Sequence, residues 1–287
     1  MTVNLFSTAN LSSGRSDALS RMIASVSAAA RARPDIELRL MILLQCCTTA
    51  PGDLVPAEDA GLVTLLTVPG LVSLSAARNT LLAEGRRLGW MDGDEIVAFP
   101  DDDCWYPDGV LGHIHDAFAS QADLDFWFCD YASAPVPVNG ALERDASVQD
   151  VLRRASSNTM VFRSAIVREI GGFDPELGVG ARLNGSEDTD YALRALASCR
   201  QVRFMPLASI GHRDRNTAIR AKYYPSGLLV IARHAGRIPA LRAALVRKLA
   251  VGSALTARGE LKPQVFLAAV RAALAEMRRK RPGTAAA

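Results

Sequence analysis

Three consecutive aspartates, Asp101, Asp102 and Asp103, follow the apolar segment EIVAF (residues 95–99) after a single proline. Adjacent carboxylates repel one another, so such a run is either a solvated turn or a site for a cation. Aspartate is common in turns, and the triplet alone leaves both interpretations open. If EIVAF is a strand, its end presents carboxylates side by side, where a divalent cation can neutralise them and bridge to a diphosphate.

A second acidic cluster lies in the segment GSEDTDYALRAL, which has a pattern typical of a helix. Ser186 is a natural N-cap, and Glu187, Asp188 and Asp190 place acid in the first turn, where the helix dipole favours it. That is a sufficient structural explanation. The catalytic alternative is that Asp188 is a general base, kept ionised by the helix terminus and able to take a proton from a hydroxyl.

His212 ends the strand-like segment VRFMPLASIGH. A lone histidine is more often structural than a ligand, and His113, His115 and His234 are interpreted in that way. His212 is singled out because of its position relative to the two acidic clusters.

The elements that must position these residues alternate between short apolar runs and helical patterns. Strands are predicted at residues 3–7, 36–45, 62–66, 95–99, 124–131, 158–163 and 202–206, and helices at 16–33, 75–89, 108–120, 147–155, 163–171 and 186–198. This β-α-β-α alternation predicts an α/β fold with a mostly parallel sheet flanked by helices. Ligands of such sheets bind beyond the carboxyl ends of the strands, which is where the aspartate triplet lies.

The charges of the chain are segregated. Residues 213–287 hold 16 basic and three acidic residues, a formal charge of +13, whereas residues 1–212 carry −10. Because a nucleic-acid binder usually has its basic stripe on the folded domain, this pattern predicts no nucleic-acid partner. It favours a soluble domain held to an anionic surface by its C-terminus.

Hydrophobic residues make up 49% and charged residues 22% of the 287, as in a globular protein. No signal peptide is apparent, and the apolar runs are too short to span a bilayer. The five cysteines form no C-x-x-C pair, which favours a reducing compartment and argues against zinc. The sequence therefore predicts a cytoplasmic protein, at most peripheral to the inner face of the plasma membrane.

The last 70 residues have a helical pattern. In 264–281, apolar residues recur on one side of the helix, and a basic run, Arg278–Arg281, lies at its end; the apolar positions are Phe266, Ala269, Val270, Ala273, Leu274 and Met277. Two interpretations remain open, an interfacial membrane helix and a helix packed on the body with a solvated basic end.

Taken together, the motifs resemble the inverting family 2 glycosyltransferases, which have the Rossmann-like GT-A fold. The segments that carry the resemblance are, in chain order, FSTAN, SLSAARNTLL, AFPDDDCWYPDGVL, NTMVFRSAIVREIGGFDPELGVG, GSEDTDYALRAL and VRFMPLASIGH. The resemblance implies a nucleotide-sugar-binding catalytic domain at residues 1–235, followed by a basic, amphipathic helical region at 236–287. Motifs of this kind are hypotheses until their structural context is known.

The resemblance also implies roles for individual residues. Asp103 and His212 would bind Mn²⁺ or Mg²⁺, and Asp188 would deprotonate the acceptor hydroxyl. Glu187 and Trp105 would contact the acceptor, although Trp105 could equally be a core residue. The residues implied in binding the nucleotide sugar are Ser7, Ala9, Arg78, Asp101 and Asp102.

The sequence departs from the family at the second strand, which often ends in an aspartate that reads the base. Here Gln45 and Cys46 stand at that point, so UDP is the default nucleotide, with GDP or dTDP as alternatives. The predicted function is metal-dependent, inverting transfer of a sugar to a hydroxyl acceptor. A glycan on a polyprenyl-linked lipid, in surface polysaccharide biosynthesis, is the acceptor that the basic C-terminus suggests.

Three other functions were weighed. A phosphohydrolase of the haloacid-dehalogenase type needs a core lysine, and no lysine precedes Lys222. A nucleotidyltransferase would have a phosphate loop richer in glycine and lysine than STANLSSGRSD. A non-catalytic nucleotide-sugar or glycan binding module of GT-A shape is the main alternative, and the presence of Asp188 argues against it.

Overall fold

The computed structural model describes residues 1–140, 142–214 and 221–278. The strands are β1 (Val3–Asn10), β2 (Leu38–Gln45), β3 (Val63–Val68), β4 (Ile96–Ala98), β5 (Leu124–Ala132), β6 (Arg144–Asp145), β7 (Met160–Arg163) and β8 (Gln201–Gly211). The helices are α1 (Ser16–Ala32), α2 (Leu74–Arg87), α3 (Val110–Ser120), α4 (Val148–Arg154), α5 (Ser164–Ile170), α6 (Glu187–Ser198), α7 (Tyr224–His234), α8 (Leu241–Ala257) and α9 (Pro263–Arg278).

The strands form one mixed sheet in the order β3-β2-β1-β4-β7-β5-β8-β6. The pairs β3-β2, β2-β1, β1-β4 and β5-β8 are parallel. β7 is antiparallel to both its neighbours, and the short β6 is antiparallel to β8. A mostly parallel sheet flanked by helices, followed by a helical C-terminal extension, is the predicted α/β, GT-A-like fold, and the prediction is confirmed.

The helix and strand patterns explain the layers. Strand β2, with the sequence LRLMILLQ, is buried at all but one of its positions, as expected for a parallel strand that is covered on both faces. Helix α1 buries Leu19, Met22, Ile23 and Val26, which are spaced i, i+3, i+4 and i+7 along one side.

Aromatic rings fix helix α6 and the preceding glycine-rich loop to the sheet. Phe173 of that loop stacks on Tyr191 of α6, with ring centroids 4.1 Å apart, and meets Phe99 edge-on at 5.0 Å. Tyr191 also meets Phe99 and Phe162 edge-on, both at 5.5 Å. Aromatic pairs of this kind add about 0.5–1.5 kcal/mol each beyond the area that they bury. The first turn of α6, which holds the second acidic cluster, is therefore firmly placed.

Strand β8 continues from the predicted strand at 202–206 through the strand-like segment that ends at His212. Pro206 interrupts the pattern, because proline cannot donate a ladder hydrogen bond. In the structure Met205 pairs with Cys129 and Ala208 with Asp130, so Pro206 lies in a bulge and the strand continues to Gly211. This continuation carries His212 to the end of the sheet.

The chain divides into two compact units. One holds Met1–Arg182 and the segment from Glu187 through β8; the other holds Leu183–Ser186 and the helices α7 to α9. The second unit has its own small core around Tyr224, Leu228 and Ala269. The predicted domain boundary after residue 235 stays a prediction; helix α7, which precedes it, packs with α8 and α9.

Helix α9 has an apolar buried face and an apolar exposed face. Ala269 and Ala273 are buried, whereas Leu274 and Met277 are 48% and 53% exposed. Of the predicted basic end, residues 279–281 lie outside the described residues. Among the described residues, no helix combines the length and the apolar character needed to cross a bilayer.

Candidate active site

Backbone hydrogen bonds join the segment after β4 to the end of β8. Trp105 donates its N–H to the carbonyl of Gly211, and Gly211 donates to the carbonyl of Trp105, each at 2.9 Å. Asp101 forms an isolated β-bridge with Thr8 of β1. The aspartate triplet therefore lies between the ends of β1 and β8, beside His212.

Asp101, Asp103 and His212 form a cluster with ligand geometry. One ligand atom from each lies within 4.8 Å of the other two. His212 Nε2 is 3.0 Å from Asp103 Oδ1 and 3.6 Å from Asp101 Oδ2. Asp103 and His212 are only 8% and 7% exposed. Two distant stretches of sequence thus place two carboxylates and an imidazole at one point.

The donor atoms of this cluster fit a shared cation. Asp103 Oδ1 and His212 Nε2 are buried, and neither makes a hydrogen bond of acceptable geometry with a described residue. Ligands at neighbouring positions of an octahedral ion, with bonds of about 2.1 Å, are about 3.0 Å apart. The observed 3.0 Å is that separation. Carboxylate and imidazole donors suit Mn²⁺ or Mg²⁺; the ligand roles themselves stay a prediction.

The surroundings shift the pKa values of Asp103, His212 and the neighbouring Asp102 in different ways. Burial opposes charge on Asp103, but His212 and nearby arginines hold the pKa of this carboxyl below its usual value. Burial likewise opposes charge on His212, but Asp103 and Asp101 raise its pKa. For Asp102 burial prevails and raises the pKa to about 6.

Two arginines that the sequence analysis did not single out contact the triplet. Arg15 Nη1 lies 3.3 Å from Asp102 Oδ1 and 3.4 Å from Asp103 Oδ2. Arg213 Nη1 lies 3.3 Å from the same Asp103 oxygen. Both side chains retain solvent exposure, so they can turn to an anionic ligand. Asp103 thus presents one oxygen to His212 and the other to the arginines.

Arg78 lies between the two acidic clusters. It is 2% exposed, and its Nη2 is 3.1 Å from Asp101 Oδ1. Its Nη1 is 3.6 Å from Glu187 Oε1 and makes no hydrogen bond with a described residue. A buried guanidinium with an unpaired N–H group is poised to donate to a further anion.

Helix α6 brings Glu187 and Asp188 to the same place. Burial, followed by repulsion from Asp188, raises the pKa of Glu187 to about 7. Burial also raises the pKa of Asp188, even though Asp188 Oδ1 accepts the Thr189 N–H at 2.6 Å. Loss of water therefore acts against the helix terminus in setting the pKa of Asp188, and the ionised general base stays a prediction.

The predicted N-cap of α6 also differs from the structure. Ser186 adopts a left-handed backbone with φ of 65°. Its hydroxyl donates to Ser226 Oγ at 3.1 Å. The Thr189 N–H, which an N-cap at Ser186 would accept, is taken by Asp188 instead. The first turn of α6 is therefore capped by the side chain of Asp188, the second residue of the helix.

One cavity of about 390 Å³ collects most of the candidate residues. The predicted residues that line it are Asp101, Asp102, Asp103, Glu187 and Asp188. Arg78 and His212 contact these carboxylates from the protein side. The cavity is also lined by residues that the sequence analysis did not propose as ligands, among them Thr8, Asn10, Arg15, Gln45, Ser157 and Arg213.

Three predicted residues lie elsewhere. Ser7 and Ala9 are buried on β1, and the side chains from this strand that line the cavity are those of Thr8 and Asn10. Side chains alternate along a strand, so the motif FSTAN could have identified the strand end but not which face meets the cavity. Trp105 does not line the cavity; its indole lies against Gly211 and under Arg21, whose guanidinium is 3.7 Å from the ring centroid. The binding roles of these three stay predictions.

The strand order and the cluster of carboxylates beyond the strand ends define an α/β protein of GT-A-like fold. No protein-family model matches the chain, and no curated protein does. Solved structures of S. aureus TarS, a glycosyltransferase, share the fold. At 10–13% identity the likeness shows the fold alone.

Two of these structures show the extent of the likeness. TarS 1-349 in complex with UDP-GlcNAc has a TM-score of 0.65 and 11% identity, and the match covers 96% of this chain and 82% of that one. A longer TarS structure has a TM-score of 0.57 and 12% identity, with 82% of this chain covered. The match spans only 39% of the length of that longer chain.

Proposed function

We propose that this chain is a metal-dependent glycosyltransferase that moves a sugar from a nucleotide-sugar donor to an acceptor hydroxyl, with inversion at the anomeric carbon. The observation that carries the proposal is the convergence of the Asp103–His212 pair and Asp188 on one cavity. UDP is the default nucleotide, in keeping with TarS structures that hold UDP and UDP-GlcNAc. Membership of family 2 is part of the same proposal and is supported by the order of the motifs.

The residues of the cavity suit this reaction. Asp188 takes the proton of the acceptor hydroxyl, whose oxygen then bonds to the anomeric carbon. The bond from that carbon to the diphosphate oxygen breaks, and its electron pair leaves with the diphosphate. Asp103 and His212 would hold the cation, with Asp101 beside them, and when bound the cation supplies positive charge to the leaving group. Attack from the side opposite the leaving group inverts the configuration.

The surrounding charges support the same roles. Arg78, whose Nη1 makes no hydrogen bond with a described residue, and the solvent-exposed heads of Arg15 and Arg213 can donate to the diphosphate. The raised pKa of Asp188 makes it a stronger base near neutral pH than an ordinary aspartate. Glu187 and Trp105 remain the proposed contacts of the acceptor.

The acceptor that we propose is a glycan on a polyprenyl-linked lipid, as in surface polysaccharide biosynthesis at the cytoplasmic face of the membrane. Two observations support peripheral contact with that surface. The C-terminal 75 residues carry a formal charge of +13. In addition, α9 leaves Leu267, Leu274 and Met277 about half exposed.

A non-catalytic nucleotide-sugar or glycan binding module is the second candidate. Such a module would need the part of the cavity that binds the nucleotide sugar, but it would not need a general base. Glu187 is buried and the adjacent Asp188 is half-buried, which is costly for two neighbouring carboxyl groups, and binding alone gives no reason for it. This observation favours the enzyme.

The experiment is to compare Asp188→Asn with the wild-type protein in the presence of Mn²⁺. Asparagine keeps the shape of the side chain but cannot accept the proton. We expect release of nucleoside diphosphate from the sugar donor to fall by a factor of 10² or more, because general base catalysis contributes about 10²–10⁴. Donor binding, measured by calorimetry, should change less than threefold.

The control is Asp17→Asn, which makes the same change at the second residue of another helix, α1, on an exposed side chain. It should leave turnover unchanged. Normal turnover by Asp188→Asn would show that the base is assigned wrongly. Donor binding by the wild type without transfer to any acceptor would favour the binding module.

A further inference from the structure

The two edges of the sheet differ in length and in charge. On one side the sheet ends with β6, which has two residues, the exposed and charged Arg144 and Asp145. On the other side it ends with β3, which has six residues, the sequence VTLLTV, and neither a charged residue nor a proline. Natural edge strands are usually kept short or carry charge, because their free backbone groups otherwise pair with another strand. β6 follows this rule and β3 does not.

The outer side of β3 presents free backbone hydrogen-bonding groups. Leu40 of β2 donates its N–H to the Leu62 carbonyl at 2.9 Å, so Leu62 faces β2. Because the residues that face a neighbouring strand alternate, Val63, Leu65 and Thr67 face outward. Within the described chain, no backbone group bonds to the outward N–H and C=O groups of these three residues. They form a ladder that another strand can join.

An apolar groove of about 550 Å³ lies beside this edge, between β3 and α2. Leu66 and Val68 line it from β3. Ala76, Thr80 and Ala83, spaced i, i+4 and i+7, line it from α2. A strand that joins β3 would place every second side chain on the face of the sheet that holds the groove. The strand that fits is therefore extended, uncharged and apolar on that face.

β3 has this character itself, so a second copy of the chain meets the requirement. A two-fold axis brings a surface against itself, and only a surface without net charge is then free of repulsion. No charged residue occurs from residue 60 to residue 77. The charged side chains of the groove, Glu84 and Arg87, pair with each other at 2.7 Å. Residues 1–212 as a whole carry −10, so this uncharged edge is where two copies can approach most closely.

The outward groups also set the register of an antiparallel pair. With the two-fold axis at Leu65, this residue lies opposite its own copy, and Val63 lies opposite Thr67 of the second copy. Each of these pairs exchanges two hydrogen bonds, so all the outward N–H and C=O groups of β3 are used. Leu66 then lies opposite Thr64 of the second copy on the face that holds the groove.

We propose that two copies of the chain associate through β3, as antiparallel neighbours that continue the sheet from one copy into the other. The interface goes beyond the proposed function and does not rest on it, because neither the aspartate triplet nor α6 takes part. A single strand of six residues is about 20 Å long, which is at the low end for a specific interface. We therefore expect a dissociation constant in the micromolar range.

The test is the mass of the full chain in solution, measured by sedimentation equilibrium from about 1 to about 200 µM. Thr67→Lys places a charge on an exposed side chain of the edge, as natural edge strands do. Thr67→Pro removes an outward N–H group but no hydrogen bond to β2. Each change acts twice across the two-fold axis, so both variants should raise the dissociation constant at least tenfold.

The control is Ala119→Lys, which adds the same charge at an exposed position of α3, a helix that packs against β5. It should associate like the wild type, and the melting temperature of each variant shows whether it folds. If Thr67→Pro fails to fold, Thr67→Lys alone decides. A wild type that stays monomeric over the whole range, or a dimer that the folded Thr67 variants leave intact, would overturn the proposal.

Discussion

Arg78 contacts both acidic clusters from the protein side of the cavity. Among the described residues it is the one positively charged side chain that does so. Its two terminal nitrogens face Asp101 on one side and Glu187 on the other, and the side chain is buried. A buried guanidinium must stay paired, since an isolated charge in the interior costs several kcal/mol. Any shift of Asp101 toward a cation therefore changes the field at Glu187 and Asp188. The proposed cation site and the proposed general base, Asp188, are therefore coupled electrostatically through Arg78.

This coupling predicts how the pH dependence responds to Glu187→Gln. A general base must be ionised, so kcat/KM falls as the pH drops through the raised pKa of Asp188. Repulsion from Asp188 contributes to raising the pKa of Glu187 to about 7, which requires Asp188 to be ionised first, so Glu187 is still neutral while Asp188 loses its proton. When Glu187 ionises near pH 7 its charge lies beside Asp188, and the kcat/KM profile should bend a second time there. In Glu187→Gln this second bend should be absent, whereas the acidic limb should stay in place.

The measurement is the pH profile of kcat/KM at saturating divalent cation. The control, Glu176→Gln, makes the same change on the glycine-rich loop, outside the cavity lining. Its profile should coincide with that of the wild type. A second bend near pH 7 that persists in Glu187→Gln, or an acidic limb that moves, would contradict this order of ionisation.

At the scale of elements, the site depends on a close approach between two segments. The indole of Trp105 lies directly on Gly211, where a Cβ would be 2.0 Å from the ring atom Cε2. The reciprocal backbone hydrogen bonds of the same pair fix the segment after β4 to the end of β8. The distance between Asp103 and His212 is set by this contact, since each lies within two residues of it.

Gly211→Ala should therefore lower the melting temperature. The added methyl group must displace the indole, and such overpacking costs about 1–3 kcal/mol. For a chain of this size that is a fall in Tm of about 2–12 °C, measured by calorimetric scanning. Gly61→Ala is the control, because nothing lies within 4 Å of a Cβ built at that exposed glycine. Equal Tm values for the two variants would contradict the close approach.

The sequence predicts elements and their ends better than it predicts faces and partners. The resemblance to the family is enough to expect Asp103 and His212 together, and the strand-end position of the aspartate triplet agrees with the rule that ligands bind beyond the carboxyl ends of parallel strands. It is not enough to predict that Thr8, and not Ser7, lines the cavity, since that depends on which face of β1 the helices cover. Arg15 has no signal of its own, as its contact with Asp102 depends on the turn between β1 and α1. The raised pKa of Asp188 likewise cannot be predicted until the surroundings of its half-buried carboxyl group are known.

The C-terminal helices combine a net positive charge with exposed apolar side chains. Leu267, Leu274 and Met277 recur at i, i+7 and i+10 on α9, which places them along one side of the helix. Arg271 and Arg278, at i+4 and i+11, lie along the same side. All three apolar side chains are about half exposed. An apolar stripe flanked by arginines is complementary to a bilayer with anionic headgroups.

This apolar stripe and its arginines should make the protein bind anionic membranes. Wild-type protein should co-sediment with phosphatidylglycerol vesicles at low salt and bind phosphatidylcholine vesicles much more weakly, since salt and neutral headgroups both remove the electrostatic attraction. Changing Leu267, Leu274 and Met277 together to glutamine should reduce binding more than tenfold, because each half-buried side chain contributes about 1 kcal/mol.

Leu142→Gln, at a leucine that is 85% exposed outside the helical unit, should bind like the wild type. Equal binding of the triple variant and the wild type would show that the stripe is not what meets the lipid, and absence of wild-type binding would remove the membrane from the proposed function.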